Sequence, residues 1–122
     1  MNFAQEASKA YKYALERGPS DKTREIACKY PGYAYFYAQD VDKCPREDTR
    51  EATCRDSEFA FMYALNIDKG SHKETRNAAC QDSYYAFLYA RDIDKCLTEE
   101  TWLAIKGTQY EEEYRRMFNY DF

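Results

Sequence analysis

Five cysteines, a single histidine and an evenly spaced set of arginines are the residues of this chain best suited to chemistry. Cys44 and Cys96 precede short segments that read as helices, and the positive end of a helix dipole lowers a nearby thiol pKa. A nucleophilic thiol also needs a base, and the one histidine, His72, is remote in sequence from both. The residues at steps of 26 from His72 are Ser20, Arg46 and Thr98, so His72 reads as an exposed helix start. Zinc is no better served, because the chain has no C-x-x-C pair and no Cys/His cluster. Cys28, Cys54 and Cys80 read as small fillers of a packed interior. Glu99 and Glu100 complement the positive end of a helix dipole. Nothing resembles a phosphate-cradling glycine loop, a nucleophile elbow or a metalloprotease helix. The expectation is a protein that is not an enzyme, with no catalytic residue, metal or cofactor.

Recognition is the chemistry that remains. Arg24, Arg50 and Arg76 follow one another at a fixed step that Trp102 breaks. They form either a basic stripe for an acidic partner or structural ties to Asp42, Asp68 and Asp94, and the matched step of the acidic row favours ties. Tyr30, Tyr33, Tyr35, Tyr84 and Tyr85 exceed what a core of this size needs. Tyrosine is common at binding hot spots, since it offers a large ring and a polar tip. Tyr33 and Tyr85 align with Phe59 and read as core, whereas Tyr30 and Tyr84 fall at a helix entrance, where contact with a partner is as good a reading. Glu111, Glu112 and Glu113 read first as a solvated face and second as a patch for a basic partner. The candidate partner-binding residues are therefore Tyr30, Tyr84, Arg50, Arg76, Glu111, Glu112 and Glu113.

These residues are carried by a tandem repeat with a period of 26. Tyr11, Tyr37, Tyr63 and Tyr89 recur at that step, as do Leu15, Val41, Ile67 and Ile93, and Thr23, Thr49, Thr75 and Thr101. Each repeat reads as two helices. In the third copy a first helix runs from about Glu58 to Lys69, capped by Asp56 and ended by Gly70 in the left-handed conformation. Second helices are expected over about Pro45–Cys54, Ser71–Cys80 and Thr98–Lys106. Ala34, Ala60 and Ala86, with Ala38, Ala64 and Ala90, let neighbouring repeats approach; Ser8 and Lys12 replace them in the first copy. Tyr110, Tyr114, Met117 and Phe118 follow the i, i+4, i+7, i+8 spacing of a closing helix. The expected architecture is all-α, a right-handed solenoid of two-helix repeats with a C-terminal capping helix. It forms one domain over 1–122, with repeats at about 2–27, 28–53, 54–79 and 80–105 and the capping helix over 106–122.

Composition agrees with a thin array. Thirteen tyrosines and seven phenylalanines replace the usual leucine, isoleucine and valine, so aromatics and alanine must build the core. No apolar run approaches the roughly 18 residues of a membrane span, and the first residues lack a signal-peptide pattern. Cysteines one repeat apart stand about 9–10 Å from each other, too far for a disulfide. A reduced, cytoplasmic protein is expected, a monomer or weak homodimer. The net charge of −4 argues against a nucleic-acid-binding surface.

The phrases YAYFYAQDVDKCPREDTREA, FAFMYALNIDKGSHKETRNAA and YAFLYARDIDKCLTEETW resemble a short α-helical tandem repeat found in uncharacterised proteins of bacteriophages and large viruses. The resemblance covers roughly Cys28 to Ile105. It implies a viral setting, and there a small inhibitor of a host or antiviral-defence protein that acts by steric blocking. Three other functions compete. In one, Asp40, Asp42, Asp68, Asp92 and Asp94 imitate nucleic-acid phosphates at a basic groove. In another, the tyrosines stack on bases of single-stranded nucleic acid, which would need a contiguous basic groove that the net charge of −4 disfavours. In the third, the chain is a structural or adaptor protein of a virus.

Overall fold

The computed structural model describes residues 2–119, and these residues are helical without a strand. The chain runs through α1 (Phe3–Arg17), α2 (Asp21–Ala27), α3 (Pro31–Tyr37), α4 (Glu47–Thr53), α5 (Ser57–Tyr63), α6 (Lys73–Ala79), α7 (Ser83–Tyr89), α8 (Glu99–Ile105) and α9 (Glu111–Met117). Of the expected closing helix 106–122, residues 120–122 lie outside the described residues, as does Met1.

Asp56 caps α5 as expected, and Asp82 takes the same place before α7. Asp56 accepts from the Phe59 amide at 3.1 Å and Asp82 from the Tyr84 amide at 2.8 Å. Pro31 opens α3, where a missing N–H leaves no bond unmade. The second helices begin later than the sequence suggests. Pro45 and Ser71 lie before the caps Arg46 and His72, and the helices proper start at Glu47 and Lys73. Helices of seven residues are too short to persist alone and depend on their neighbours.

The ends of α3, α5 and α7 depart from expectation. Each continues into a π-helical turn: Ala38–Asp42, Ala64–Asp68 and Ala90–Asp94. The left-handed residue is then not the glycine but the lysine before it. Lys43, Lys69 and Lys95 have φ of 57°, 54° and 55°, and Gly70 is not among the residues with positive φ. The amides of Lys43 and Gly70 reach back to the Ala38 and Ala64 carbonyls at 2.9 and 3.1 Å. A wide turn adds one residue and so rotates the succeeding side chains by about 100° relative to a regular helix. That rotation aims Asp42, Asp68 and Asp94 at the arginines. Copy one supplies the control: Glu16 has no preceding arginine to meet, and α1 remains regular until Gly18, whose φ is 91°.

A non-glycine residue in the left-handed region costs about 1–2 kcal/mol. Lys69→Gly should therefore raise the unfolding free energy by about 0.5–1 kcal/mol after the added chain entropy of glycine. Thermal denaturation reads this as a melting point a few degrees higher, and an unchanged or lower value would remove the strain assignment.

The core consists of linked aromatic and alanine clusters. Ala34, Ala38, Ala60, Ala64, Ala86 and Ala90 are fully buried, while Ser8 is half-buried and Lys12 is exposed. Tyr35, Phe61 and Phe87 are buried as well as Tyr37, Tyr63 and Tyr89, which lie two residues further on. The reason is lateral packing. Tyr35 meets Phe59 at 6.0 Å, Phe61 meets Tyr85 at 6.1 Å and Phe87 stacks on Tyr110 at 5.5 Å. A helix with neighbours on two sides buries more than one stripe.

Candidate functional site

Two ties, each repeated along the chain, join a first helix to the second helix before it. The hydroxyl of Tyr63 meets Thr49 Oγ1 at 2.7 Å, accepts from the Arg46 amide at 2.9 Å and donates to the Arg46 carbonyl at 3.0 Å. Tyr37 does the same with Thr23 and Ser20, and Tyr89 with Thr75 and His72. Tyr114 then meets Thr101 at 2.9 Å and the Thr98 amide at 3.3 Å. Tyr114 lies 25 residues after Tyr89 and Tyr110 lies 25 after Tyr85, so α9 takes a first-helix place with one residue fewer. In the other tie, Arg24, Arg50 and Arg76 form two-pronged bonds to Asp42, Asp68 and Asp94 at 2.6–2.9 Å. Those carboxylate bonds, opposed by burial, hold the three guanidinium groups protonated beyond their ordinary strength. At the fourth step Trp102 stands in the arginine place, and Arg115 lies over its ring at 5.2 Å.

Arg50 and Arg76 are therefore committed within the chain and do not stand out as a basic stripe. Arg76 is also held by Ser71 Oγ at 2.6 Å.

The exposed candidates lie at the other end of the first helices. Tyr30 is 44% and Tyr84 45% exposed. Tyr30 leads into a train of rings: Tyr33 at 5.9 Å, then Tyr11 and Phe36 at 5.9 and 5.8 Å from Tyr33. Gly32 is buried beneath this train. A Cβ there would come within 3.2 Å of the Phe59 ring and 3.3 Å of the Tyr30 ring, so glycine allows both rings to close over α3. Of the remaining surplus tyrosines, Tyr35 is buried with its hydroxyl accepting from Asn66 at 2.9 Å, and Tyr85 donates to Glu58 at 2.6 Å.

Tyr84 belongs to a second ring cluster, with Tyr85 at 5.0 Å and Tyr110 at 5.9 Å. Tyr110 immediately precedes the acidic turn, so Tyr84 and Glu111–Glu113 form one neighbourhood. Glu111 accepts from the Gly107 amide at 2.8 Å and pairs with Arg115 at 3.3 Å, and Glu112 pairs with Arg116 at 3.2 Å. Glu113 is exposed. Tyr30 stands apart from this group, in the ring train of α3.

The thiols divide sharply. Cys44 and Cys96 are exposed, while Cys28, Cys54 and Cys80 are half-buried. Burial first, and then the nearby Asp48, Glu74 and Glu100, push Cys28, Cys54 and Cys80 up to about 11. A thiol that holds its proton more tightly when folded stabilises the fold fully below its unfolded value, here 9.0, and loses that contribution as pH rises to about 11. Solvent screening at half-exposed sites leaves about 1 kcal/mol for each. Denaturant titrations at several pH values should show stability falling between pH 9 and 11, less steeply in Cys28→Ala/Cys54→Ala/Cys80→Ala. Equal slopes would overturn the assignment.

Among the described residues no group of three or more His, Cys, Asp or Glu could hold a metal ion, and no helix is long and apolar enough to cross a membrane. Compared with known proteins, the chain matches no protein-family model, no curated protein and no solved structure.

Proposed function

We propose that the chain is a solenoid of two-helix repeats closed by its C-terminal helix, and that it works as a non-enzymatic protein-binding module. The solenoid reading is supported by the constant offsets of the ties: tyrosine to threonine 14 residues back and arginine to aspartate 18 residues on. The observation that carries the binding reading is the pair of exposed ring clusters, around Tyr30 and around Tyr84. Large rings with free edges supply contact area with little loss of side-chain freedom. In the viral setting that the repeat phrases imply, the module would block a host or defence protein sterically.

The nucleic-acid mimic has less support. Asp42, Asp68 and Asp94 face arginines, and the Asp68 side chain is 1% exposed, so these rows do not present charge to a groove. The test is affinity capture from host lysate, with nuclease, comparing the wild type with Tyr30→Ala/Tyr84→Ala. The expected result is one stoichiometric protein retained by the wild type and lost by the variant, whose melting point stays unchanged. Retention by both, or retention only with nucleic acid present, would refute the reading.

A further inference from the structure

We infer that the rim formed by the C-terminal ends of α3, α5 and α7 binds an extended acidic peptide, with Lys43, Lys69 and Lys95 each taking one carboxylate. The three lysines are exposed, and each is the left-handed residue just after a π turn. Glycine would adopt that conformation with less strain, yet a lysine stands there in all three copies. Their ammonium groups have no hydrogen-bond or ion-pair partner among the described residues. The arginines of the same repeats, by contrast, are closed on aspartates.

The rim is continuous. One cleft, of about 510 Å³, opens between Lys43 and Lys69 over Ile67. Another, of about 280 Å³, opens between Lys69 and Lys95 over Leu65 and Ile93. Lys69 borders both. The carboxylate in the second cleft, Asp92, is taken by Arg91 at 2.7 and 3.0 Å and so does not neutralise the lysines.

The spacing selects the ligand. Packed neighbouring helices stand about 8–10 Å apart. A polyproline II strand has three residues per turn and rises about 9.3 Å in that turn, so every third side chain points the same way. An acidic residue at every third position would thus meet successive lysines, and its intervening residues would lie on the apolar floors. A β-strand does not fit, because its same-face residues recur at about 7 Å.

This inference goes beyond the aromatic clusters and does not depend on them. The test is fluorescence anisotropy of the purified chain with a labelled peptide of repeated Glu-Pro-Pro triplets, at low and at physiological salt. The control peptide has the same composition with its glutamates in one block. The expected result is binding that weakens with salt, is several-fold weaker for the block peptide, and drops about tenfold in Lys43→Gln/Lys69→Gln/Lys95→Gln. Glutamine preserves the backbone strain, so the melting point checks that the variant is folded. Arginine at the same positions should restore affinity, and Lys9→Gln/Lys12→Gln/Lys22→Gln should leave it unchanged. Tyr30→Ala/Tyr84→Ala should also leave it unchanged, which separates failure here from failure of the aromatic contact surface. No binding, equal affinity for both peptides, no loss in the glutamine variant, or tighter binding of single-stranded oligothymidylate would overturn the proposal.

Discussion

Replacing Asp68 with alanine is expected to lower the unfolding free energy by about 3 kcal/mol. The Asp68 side chain is 1% exposed and takes both prongs of Arg50, at 2.9 and 2.6 Å. Coulomb attraction across the pair is large, but each ion has already lost most of its water, so the net contribution of the pair is far smaller than the attraction suggests. What makes the single substitution costly is the guanidinium left behind, 15% exposed and without its counter-charge. Its cost stays toward the lower end because some water can reach it, and because the Tyr63 ring remains 5.8 Å away as a weak partner. The paired substitution Arg50→Met/Asp68→Leu removes both desolvation costs and should recover most of the loss. Urea denaturation of the wild type, the single and the double variant settles the matter. If the double variant is as unstable as Asp68→Ala, the ties act through their geometry and not through the stranded charge. If Asp68→Ala costs under about 1 kcal/mol, the pair behaves as a surface bridge.

The arginine ties were legible in the sequence because both charges repeat in step, and a charge pattern survives uncertainty about helix boundaries. The tyrosine ties were not, although both rows were visible. Tyr63 and Thr49 are joined only by the offset at which one repeat packs on the next, and a one-dimensional period does not contain that offset. The wide turns were hidden for a different reason. Gly70 is a good helix terminator in isolation, and only the need to bring Asp68 round to Arg50 moves the left-handed residue to Lys69. The place of α9 was hidden by a deletion of one residue: at a strict step of 26, Tyr85 and Tyr89 align with Glu111 and Arg115 instead of Tyr110 and Tyr114. Among the candidate contacts, Tyr30 and Tyr84 are exposed as a helix-entrance position suggests. Tyr35, a surplus tyrosine outside that candidate set, is buried, because lateral packing in a row of helices covers a second flank.

The deletion gives α9 its own test, with Trp102 as reporter. Tyr114 is fully buried and packs its ring at 5.9 Å from Trp102 and 5.0 Å from Phe118. Truncating such a ring to alanine costs about 3–5 kcal/mol, and here it also leaves the Thr101 hydroxyl without its 2.9 Å partner. Tyr114→Phe keeps the ring and should lose only about 1 kcal/mol. The consequence of Tyr114→Ala is expected to be local, since each repeat in a stacked array gains stability mainly from its neighbours. α9 should detach first and bare Trp102 and Ile105, while α3 to α6 keep their ties. The single tryptophan then reports the event directly. Its emission should shift to the red at lower urea than the loss of helical circular dichroism, whereas in the wild type the two transitions lie closer together. Tyr63→Ala, with a comparable loss in the middle of the chain, should instead lower both transitions together. Coincident transitions in Tyr114→Ala would mean that the chain unfolds as one unit and would remove the nearest-neighbour picture on which the proposed solenoid rests.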